Sequence, residues 1–224
     1  MRVHVIIPFK GVAESKSRLV NEMSDNLRKR LVTAMLTDVI SAVNSSKKVS
    51  RIIIVTSDRK IENIVSKNTT LLLEDKPRGI NQAIIEATEY SVSMKAEATL
   101  VIPADLPLIK PQDIDIIISR GKTGPAVILS SSLNGGTNML YRHPPQIIEP
   151  KFGINSFQAH LEESRKVNVE PKIYNSPRVS LDLDEIEDVK KFIQHGNHTK
   201  TFRVLHKTQL IFSRPKNNLK LHRS

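Results

Sequence analysis

The chain alternates between short, mainly apolar segments and longer segments in which apolar residues recur at helical spacing. The apolar segments, each suited to a buried strand, are 3–8, 51–56, 70–73, 99–102 and 125–129. Between the first two, apolar residues recur every three or four positions from Leu27 to Val43, after Ser24, a residue type that caps helices. Similar patterns follow Gly79 and Pro111. The chain therefore predicts strands and helices in alternation.

This alternation is typical of a parallel sheet covered by helices on both faces. Past residue 130 the order changes, and the pattern predicts a strand at 138–142, a helix at 156–166, a strand at 167–173 and a last helix at 185–194. We expect an α/β fold with a single-domain, open, mostly parallel sheet and helices on both faces, spanning residues 1–198.

The composition supports a packed enzyme or binding domain. Of 224 residues, 39% are hydrophobic and 25% are charged, enough for a core and a polar surface. The sequence has no cysteine, which excludes a disulfide scaffold, a thiolate metal site and a cysteine nucleophile. No apolar run approaches the ~20 residues that span a bilayer, and the first residues lack a signal-peptide pattern. We therefore expect a cytoplasmic protein with no membrane partner.

The net charge of +11 comes mainly from one end of the chain. Residues 199–224 hold seven Lys and Arg residues and no acidic residue, and the remainder has 27 basic and 23 acidic residues, a charge of only +4. We expect 199–224 to be a flexible basic tail. Nucleic-acid binding through this tail is the alternative from a different functional class.

Three polar segments follow predicted strands, where ligands bind in open parallel sheets: 10–18, 103–107 and 130–138. The first holds the cations Lys10, Lys16 and Arg18, which could clamp a polyphosphate or simply be solvated. The segment is not a P-loop, because the second glycine is missing and the spacing is one residue short.

Three aspartates are candidate metal ligands. Asp105 directly follows an apolar strand, where a carboxylate can bind Mg²⁺ or only complete a turn. Asp182 and Asp184 alternate along an extended segment and so share a face. Because Asp184 also suits a helix N-cap, the pattern favours Asp182 as the ligand and Asp184 as its helper.

Glycine and hydroxyl residues mark a further candidate site. Thr137 follows two glycines between strands, in a turn that could hold an anion or be an ordinary hairpin. Ser156 follows Gly153 at the start of a helix, where it could be a cap or, with outward-facing free amides, a seat for a phosphate or carboxylate.

Taken together, these segments resemble the 2-phospho-L-lactate guanylyltransferase family of coenzyme F420 biosynthesis. The matching segments run in family order over roughly residues 3–193 and are IIPFKG with SKSRL (6–19), RLVTAMLTDV (30–39), GINQAI (79–84), PADLPL (103–108), GGTNML (135–140), FGINSFQAH (152–160) and DLDEIEDV (182–189). ADLP alone is shared with many other nucleotidyltransferases. SKSRL, GGTN and the segment FGINSFQAH are specific to this family.

The resemblance implies a glycosyltransferase-A-like nucleotidyltransferase fold. It also implies Mg²⁺-dependent transfer of GMP from GTP to 2-phospho-L-lactate, which yields lactyl-2-diphospho-5′-guanosine and pyrophosphate. The residues that it carries over are Lys10, Lys16, Arg18 and Asp105 as catalytic, Asp105 and Asp182 with Asp184 for the metal, Thr137, Gly153 and Ser156 for the acceptor, and Gly79 and Asn81 for the nucleotide.

One stretch departs from the family pattern. Ser130–Asn134 stands where the family usually has a Pro-Asp-Arg-like segment before GGTN. A related nucleotidyltransferase with another acceptor, phosphoenolpyruvate or a molybdopterin, is therefore the alternative among enzymes. The sequence leaves the choice of base and the oligomeric state open, with a homodimer among the options.

Overall fold

The computed structural model describes residues 1–16, 19, 21–65 and 68–207. The strands are β1 (Val3–Pro8), β2 (Arg51–Thr56), β3 (Thr69–Leu73), β4 (Ala98–Val101), β5 (Ala126–Ser131), β6 (Thr137–His143) and β7 (Lys172–Ile173). The helices are α1 (Asp25–Asn44), α2 (Ile80–Ser93), α3 (Pro111–Gly121), α4 (Ser156–Lys166), α5 (Pro177–Ser180), α6 (Ile186–Ile193) and α7 (Lys200–His206), with a 3₁₀ turn at Arg59–Ile64.

The seven strands form one open sheet in the order β3-β2-β1-β4-β6-β5-β7. Every neighbouring pair is parallel except the two that involve β6, which runs antiparallel to both β4 and β5. The reversal at β6 follows from the short connection after β5, since a parallel strand would need a crossover of a dozen residues or more. It brings the turn before Thr137 to the edge of the sheet where β1 and β4 end.

Both faces of the central strands β1, β2 and β4 are buried, which explains why these strands are mainly apolar rather than alternating. Val5 and Ile7 pack with one hydrophobic cluster, and Ile6 packs with the other. The first cluster includes α1, α3 and α6, and the second includes residues of α2. The predicted α/β fold, with its mostly parallel sheet covered on both faces, is confirmed. In the described part of the chain, no helix is long and apolar enough to cross a membrane.

Two predicted segments differ from the structure. The strand expected over 167–173 is reduced to β7, because Asn168 adopts a left-handed conformation (φ 58°) and the Val169 amide donates to the Ser164 carbonyl at 3.1 Å, closing the end of α4. Within the tail expected from residue 199, α7 forms a helix against α1. Its Leu205 is fully buried, so ordered structure continues past the predicted boundary. Residues 208–224 lie outside the described residues.

Two side chains fix the start of α7. The N-cap Thr199 accepts the Phe202 amide at 2.9 Å, and a carboxylate of α1 adds contacts to the first turn. Asp38 of α1 accepts hydrogen bonds from the amides of Lys200 and Thr201, both at 2.8 Å, and from the Thr201 hydroxyl at 2.6 Å. The first amides of a helix have no acceptor within the helix, and a carboxylate supplies one and also balances the positive end of the helix dipole. This contact spans more than 160 residues of sequence, so the local pattern of residues 199–207 gave no sign of it.

Candidate active site

The loop after β1 is held by side chains from two neighbouring elements. Gly11 has φ 106°, and an added Cβ would lie 3.0 Å from the Asp58 Cβ, so glycine is needed here. Asp58 also accepts the Val12 amide at 2.8 Å. From α1, the buried Arg28 guanidinium donates to the Ala13 carbonyl at 2.9 Å and to the Ser15 carbonyl at 2.7 Å. The loop therefore has a fixed path that ends at Lys16.

The Lys16 ammonium group lies between two carboxylates. Its side chain is only 7% exposed, its Nζ lies 2.7 Å from Asp105 Oδ2, and it also pairs with Asp184 Oδ1. Burial alone would lower the pKa of Lys16, but Asp105 and Asp184 outweigh burial and raise it above its usual value. Lys16 is therefore charged at neutral pH.

The predicted carboxylates meet at the ends of two chain segments. The Leu183 amide donates to the Asp105 carbonyl at 3.1 Å, which joins the segment after β4 to the segment after α5. Asp182 accepts a hydrogen bond from Asn138 Nδ2 at 3.3 Å. Burial, then the charges of Asp105 and Asp184, raise the pKa of Asp182 to about 6. Like charges are therefore concentrated around Lys16.

The N-cap of α6 is Glu185, one residue after the predicted cap. The Asp184 carboxylate, which the sequence offered as either cap or helper, instead pairs with Lys16. It is therefore available to the candidate site.

The carboxylates suit a cation that takes part of its ligands from a substrate. Among the described residues, no group of three or more His, Cys, Asp or Glu side chains could hold a metal alone. Mg²⁺ is usually held by one or two carboxylates, with water and phosphate oxygens completing an octahedron. The donors are hard oxygens, and Lys16 Nζ bonds to one oxygen of each of Asp105 and Asp184, so a metal ion would bind through the other oxygen of each carboxylate. This donor set fits Mg²⁺ bound together with a phosphate-bearing ligand.

Two neighbouring clefts open beside this cluster. One has a volume of about 300 Å³ and is lined by Lys10, Lys16, Asp105 and Asp184 among others. The other, of about 290 Å³, shares Lys10 with the first cleft and reaches Gly79 at the start of α2. Together they offer a charged compartment and an adjoining, more apolar one.

The second cleft also contains a carboxylate that sequence reasoning missed. Glu74, which follows β3, lines the cleft, and burial raises the pKa of its carboxyl group above the usual value. A backbone hydrogen bond from Arg78 acts in the opposite direction. The residue stood in an unremarkable polar stretch after a short strand, so nothing in the sequence singled it out.

The predicted acceptor residues form a separate hydrogen-bonded group. The Thr137 amide donates to Ser156 Oγ at 2.9 Å, and both residues are buried. Gly153 has φ 143°, and an added Cβ would meet nothing within 4 Å, so space is open beside it. The expectation of free amides at the start of α4 is wrong for the first two residues, because the Ser156 and Phe157 amides donate to the carbonyls of Gly153 and Gly135.

Asn81 makes a contact that the resemblance did not imply. Its side-chain amide donates to the Phe152 carbonyl at 3.0 Å and accepts from the Phe152 amide at 2.7 Å. Both ends of the side chain are therefore used to tie the first turn of α2 to the segment before α4. Asn138 makes a comparable link, because it directly follows Thr137 and bonds to Asp182.

The structure thus brings Lys16, Asp105, Asp182 and Asp184 together, with Lys10 exposed at the rim of both clefts. Arg18 lies outside the described residues. Sequence reasoning missed Arg28, because it stands in a basic run on α1 that is typical of a solvated face.

Curated proteins of similar sequence carry names of one reaction type. The chain is 35% identical over 202 residues to the 2-phospho-L-lactate guanylyltransferase of Methanocaldococcus jannaschii, covering 90% of this chain and 87% of that protein. It is 29% identical over 190 residues to the phosphoenolpyruvate guanylyltransferase of Thermobaculum terrenum, covering 84% and 82%.

A solved structure and a family model extend the comparison. A structure from Desulfovibrio desulfuricans G20, described as a nucleotide-diphospho-sugar transferase, has a TM-score of 0.79 at 11% identity and covers 94% of this chain and 97% of its own. At that identity the likeness shows the fold alone. The family model described as "Guanylyl transferase CofC like" matches residues 3–223. With a match over nearly the whole length, the chain belongs to the Guanylyl transferase CofC like family.

Proposed function

We propose that this protein transfers GMP from GTP to 2-phospho-L-lactate, giving lactyl-2-diphospho-5′-guanosine and pyrophosphate. The observation that carries the proposal is the cluster of the buried Lys16 side chain with the partly exposed Asp105 and Asp184, beside a charged cleft, in a chain whose relatives are named guanylyltransferases. Such a cluster suits phosphoryl chemistry, in which positioning and charge stabilisation do most of the work.

The acceptor supplies its own nucleophile. An oxygen of its phosphate group attacks the α-phosphorus of GTP, and the bond from that phosphorus to the bridging oxygen of the β-phosphate breaks. The electron pair leaves with pyrophosphate. An ionised phosphate monoester needs no proton removed, so no general base is required. This agrees with the charged cleft, since the described residues that line it include no histidine.

The residues of the cluster position the reactants and balance charge. Asp105 and Asp182, with Asp184, would hold Mg²⁺, and when bound the ion would neutralise charge on the phosphate oxygens. Lys16 and Lys10, with Arg18, stabilise the charge that develops on pyrophosphate. Because Lys16 is bound to Asp105 and Asp184, it is already oriented before substrates arrive.

The second cleft is our proposed site for the base. Guanine presents an N1–H and an exocyclic amino group on one edge, and a carboxylate accepts hydrogen bonds from both. Glu14 and Glu74 both line this cleft, but Glu14 is exposed and also lines the charged cleft. Glu74 is partly buried and lines the cleft together with Gly79, where the backbone lets a ligand approach closely. We therefore assign the choice of guanine to Glu74.

The acceptor lies, in this proposal, by Thr137, Gly153 and Ser156. Open space beside Gly153 supports this placement. Asn138 connects the group to Asp182, so the acceptor phosphate would lie next to the carboxylate cluster. The relative named for phosphoenolpyruvate makes that compound the second acceptor to test.

Pyrophosphate release tests the proposal directly. Purified protein is incubated with Mg²⁺, each of GTP, ATP and CTP, and each of 2-phospho-L-lactate, phosphoenolpyruvate and 3-phosphoglycerate. We expect release with GTP and 2-phospho-L-lactate to exceed the other combinations at least tenfold. A faster reaction with phosphoenolpyruvate would reassign the acceptor, and no release with any pair would refute the proposal.

A further inference from the structure

A buried imidazole that the reaction does not use lies behind the proposed acceptor group. His160 of α4 is fully buried, and its Nδ1 lies 2.9 Å from Thr137 Oγ1. Its Nε2 accepts a hydrogen bond from the Lys151 amide at 2.8 Å. The Phe152 ring packs edge-on against it, with ring centroids 4.9 Å apart. Both ring nitrogens are therefore engaged, and the ring is fixed by packing.

These contacts define which nitrogen carries the proton. An amide N–H only donates, so Nε2 must present its lone pair to Lys151. Burial, and next the charge of Arg142, lower the pKa of His160 to about 4, so the ring is neutral at physiological pH. A neutral ring has one proton, and it must be on Nδ1.

The tautomer in turn fixes the role of the Thr137 hydroxyl. A protonated Nδ1 donates, so Thr137 Oγ1 accepts from it and cannot donate back. Within the described part of the chain, no other polar atom takes the hydroxyl hydrogen of Thr137. Thr137 retains 5% exposure and is linked through Ser156 to Gly153, where an added Cβ would meet nothing within 4 Å. Its hydroxyl hydrogen is left available to an anionic ligand.

We propose that His160 is a positioning residue that holds the Thr137 hydroxyl as a hydrogen-bond donor to the carboxylate or phosphate of the acceptor. This inference rests on the proposed function, which places the acceptor beside Thr137. It assigns His160 no contact with the reacting atoms. Its effect should therefore appear in acceptor binding and not in the handling of GTP.

Two substitutions separate the two ring nitrogens. His160→Gln can place an acceptor near the Lys151 amide but loses the donor to Thr137. His160→Asn can place a donor near Thr137 but loses the acceptor for Lys151. We expect His160→Gln to raise the acceptor KM about tenfold, with the GTP KM and kcat changed less than threefold. His160→Asn should change the acceptor KM less than threefold, if both variants unfold within a few degrees of the wild type.

A double variant tests whether His160 acts through Thr137. If it does, His160→Gln combined with Thr137→Val should raise the acceptor KM no more than Thr137→Val alone. Multiplicative effects, or equal rises in the KM of acceptor and GTP, would overturn the inference.

Nitrogen-15 NMR of the wild-type imidazole gives a readout that needs no activity. We expect protonated Nδ1 and unprotonated Nε2 from pH 6 to 8. A proton on Nε2 would overturn the inference even in an active enzyme. If the wild type transfers no GMP to any acceptor, the proposed function fails, and with it the role of Thr137 as acceptor donor, whatever the tautomer.

Discussion

Removing the Asp113 carboxylate should destabilise the protein strongly. Asp113, in the first turn of α3, is fully buried and accepts hydrogen bonds from the Tyr174 hydroxyl at 2.6 Å and from the Arg178 guanidinium at 2.7 and 3.0 Å. The Ser176 hydroxyl and the Lys110 amide also donate to it, at 3.2 and 2.9 Å. It thereby anchors the segment that leads to Asp182 and Asp184 in the candidate site.

The expected cost of Asp113→Ala follows from the groups left unpaired. Breaking a fully buried ion pair costs about 3–5 kcal/mol, because the remaining charge is stranded. The Arg178 side chain is 40% exposed and would regain water, which favours the lower end of that range. The buried hydroxyls of Tyr174 and Ser176 would each lose an acceptor, at about 1 kcal/mol or more. Added to the lower end of that range, these losses give an expected total of about 5 kcal/mol.

Urea unfolding followed by circular dichroism at pH 7 measures this loss. Asp115→Ala, on the same helix, is the matched control. Asp115 is only partly buried and accepts from the Ser46 hydroxyl at 2.6 Å, so its loss should cost less than about 1 kcal/mol. If the two variants lost equal stability, the reasoning about the buried carboxylate would be refuted.

The pH dependence gives the same prediction a second measurement. Burial alone would raise the pKa of Asp113, but the bonds from Arg178 and Tyr174 outweigh it and lower the pKa below its usual value. A lowered folded-state pKa stabilises the protein above the unfolded pKa, and this stabilisation is lost as the pH falls through the folded value. The stability difference between wild type and Asp113→Asn should therefore be constant from about pH 7 to 5 and shrink below that.

Four further substitutions test other parts of the structure. Asp105→Asn should lower kcat/KM at least about a hundredfold, or ~2.7 kcal/mol in transition-state stabilisation, while thermal unfolding still shows a cooperative transition. Arg28→Met should lower kcat about tenfold in steady-state kinetics, because the loop that presents Lys16 loses two hydrogen bonds to its carbonyls. An unchanged kcat would show that the loop keeps its conformation without Arg28. Asp38→Ala should cost about 1–2 kcal/mol in urea unfolding, because α7 keeps its Thr199 cap but loses the Asp38 hydrogen bonds to Lys200 and Thr201. Glu74→Gln should lower kcat/KM for GTP about tenfold and leave that for ATP unchanged, and equal losses would remove it from base selection.

The sheet was predictable because its strands carry an unusually clear signal. A short, mainly apolar segment such as 51–56 is typical of a strand in a sheet whose two faces are both covered. The strand expected at 167–173 failed for a local reason. The pattern predicted a strand there, but Asn168 turns the chain to close α4, a conformation that the pattern of apolar residues does not encode.

The candidate site was predictable where position along a strand decides it. Asp105 and Lys16 each follow a strand of the parallel sheet, and such strand ends meet at one edge. Contacts made by backbone atoms of distant segments were not predictable. Arg28 bonds to two carbonyls of a loop, and Asn81 bonds to the Phe152 backbone. Since the partners are backbone atoms, the residue types in the sequence do not indicate these contacts.

The most direct test of the central claim follows oxygen atoms through the reaction. 2-Phospho-L-lactate labelled with ¹⁸O in its phosphate group is incubated with GTP, Mg²⁺ and the purified protein. The masses of the products are then measured by mass spectrometry. Attack by the acceptor phosphate on the α-phosphorus of GTP predicts lactyl-2-diphospho-5′-guanosine that retains all of the label, together with unlabelled pyrophosphate. Label in pyrophosphate, or no guanylylated acceptor at all, would contradict the account.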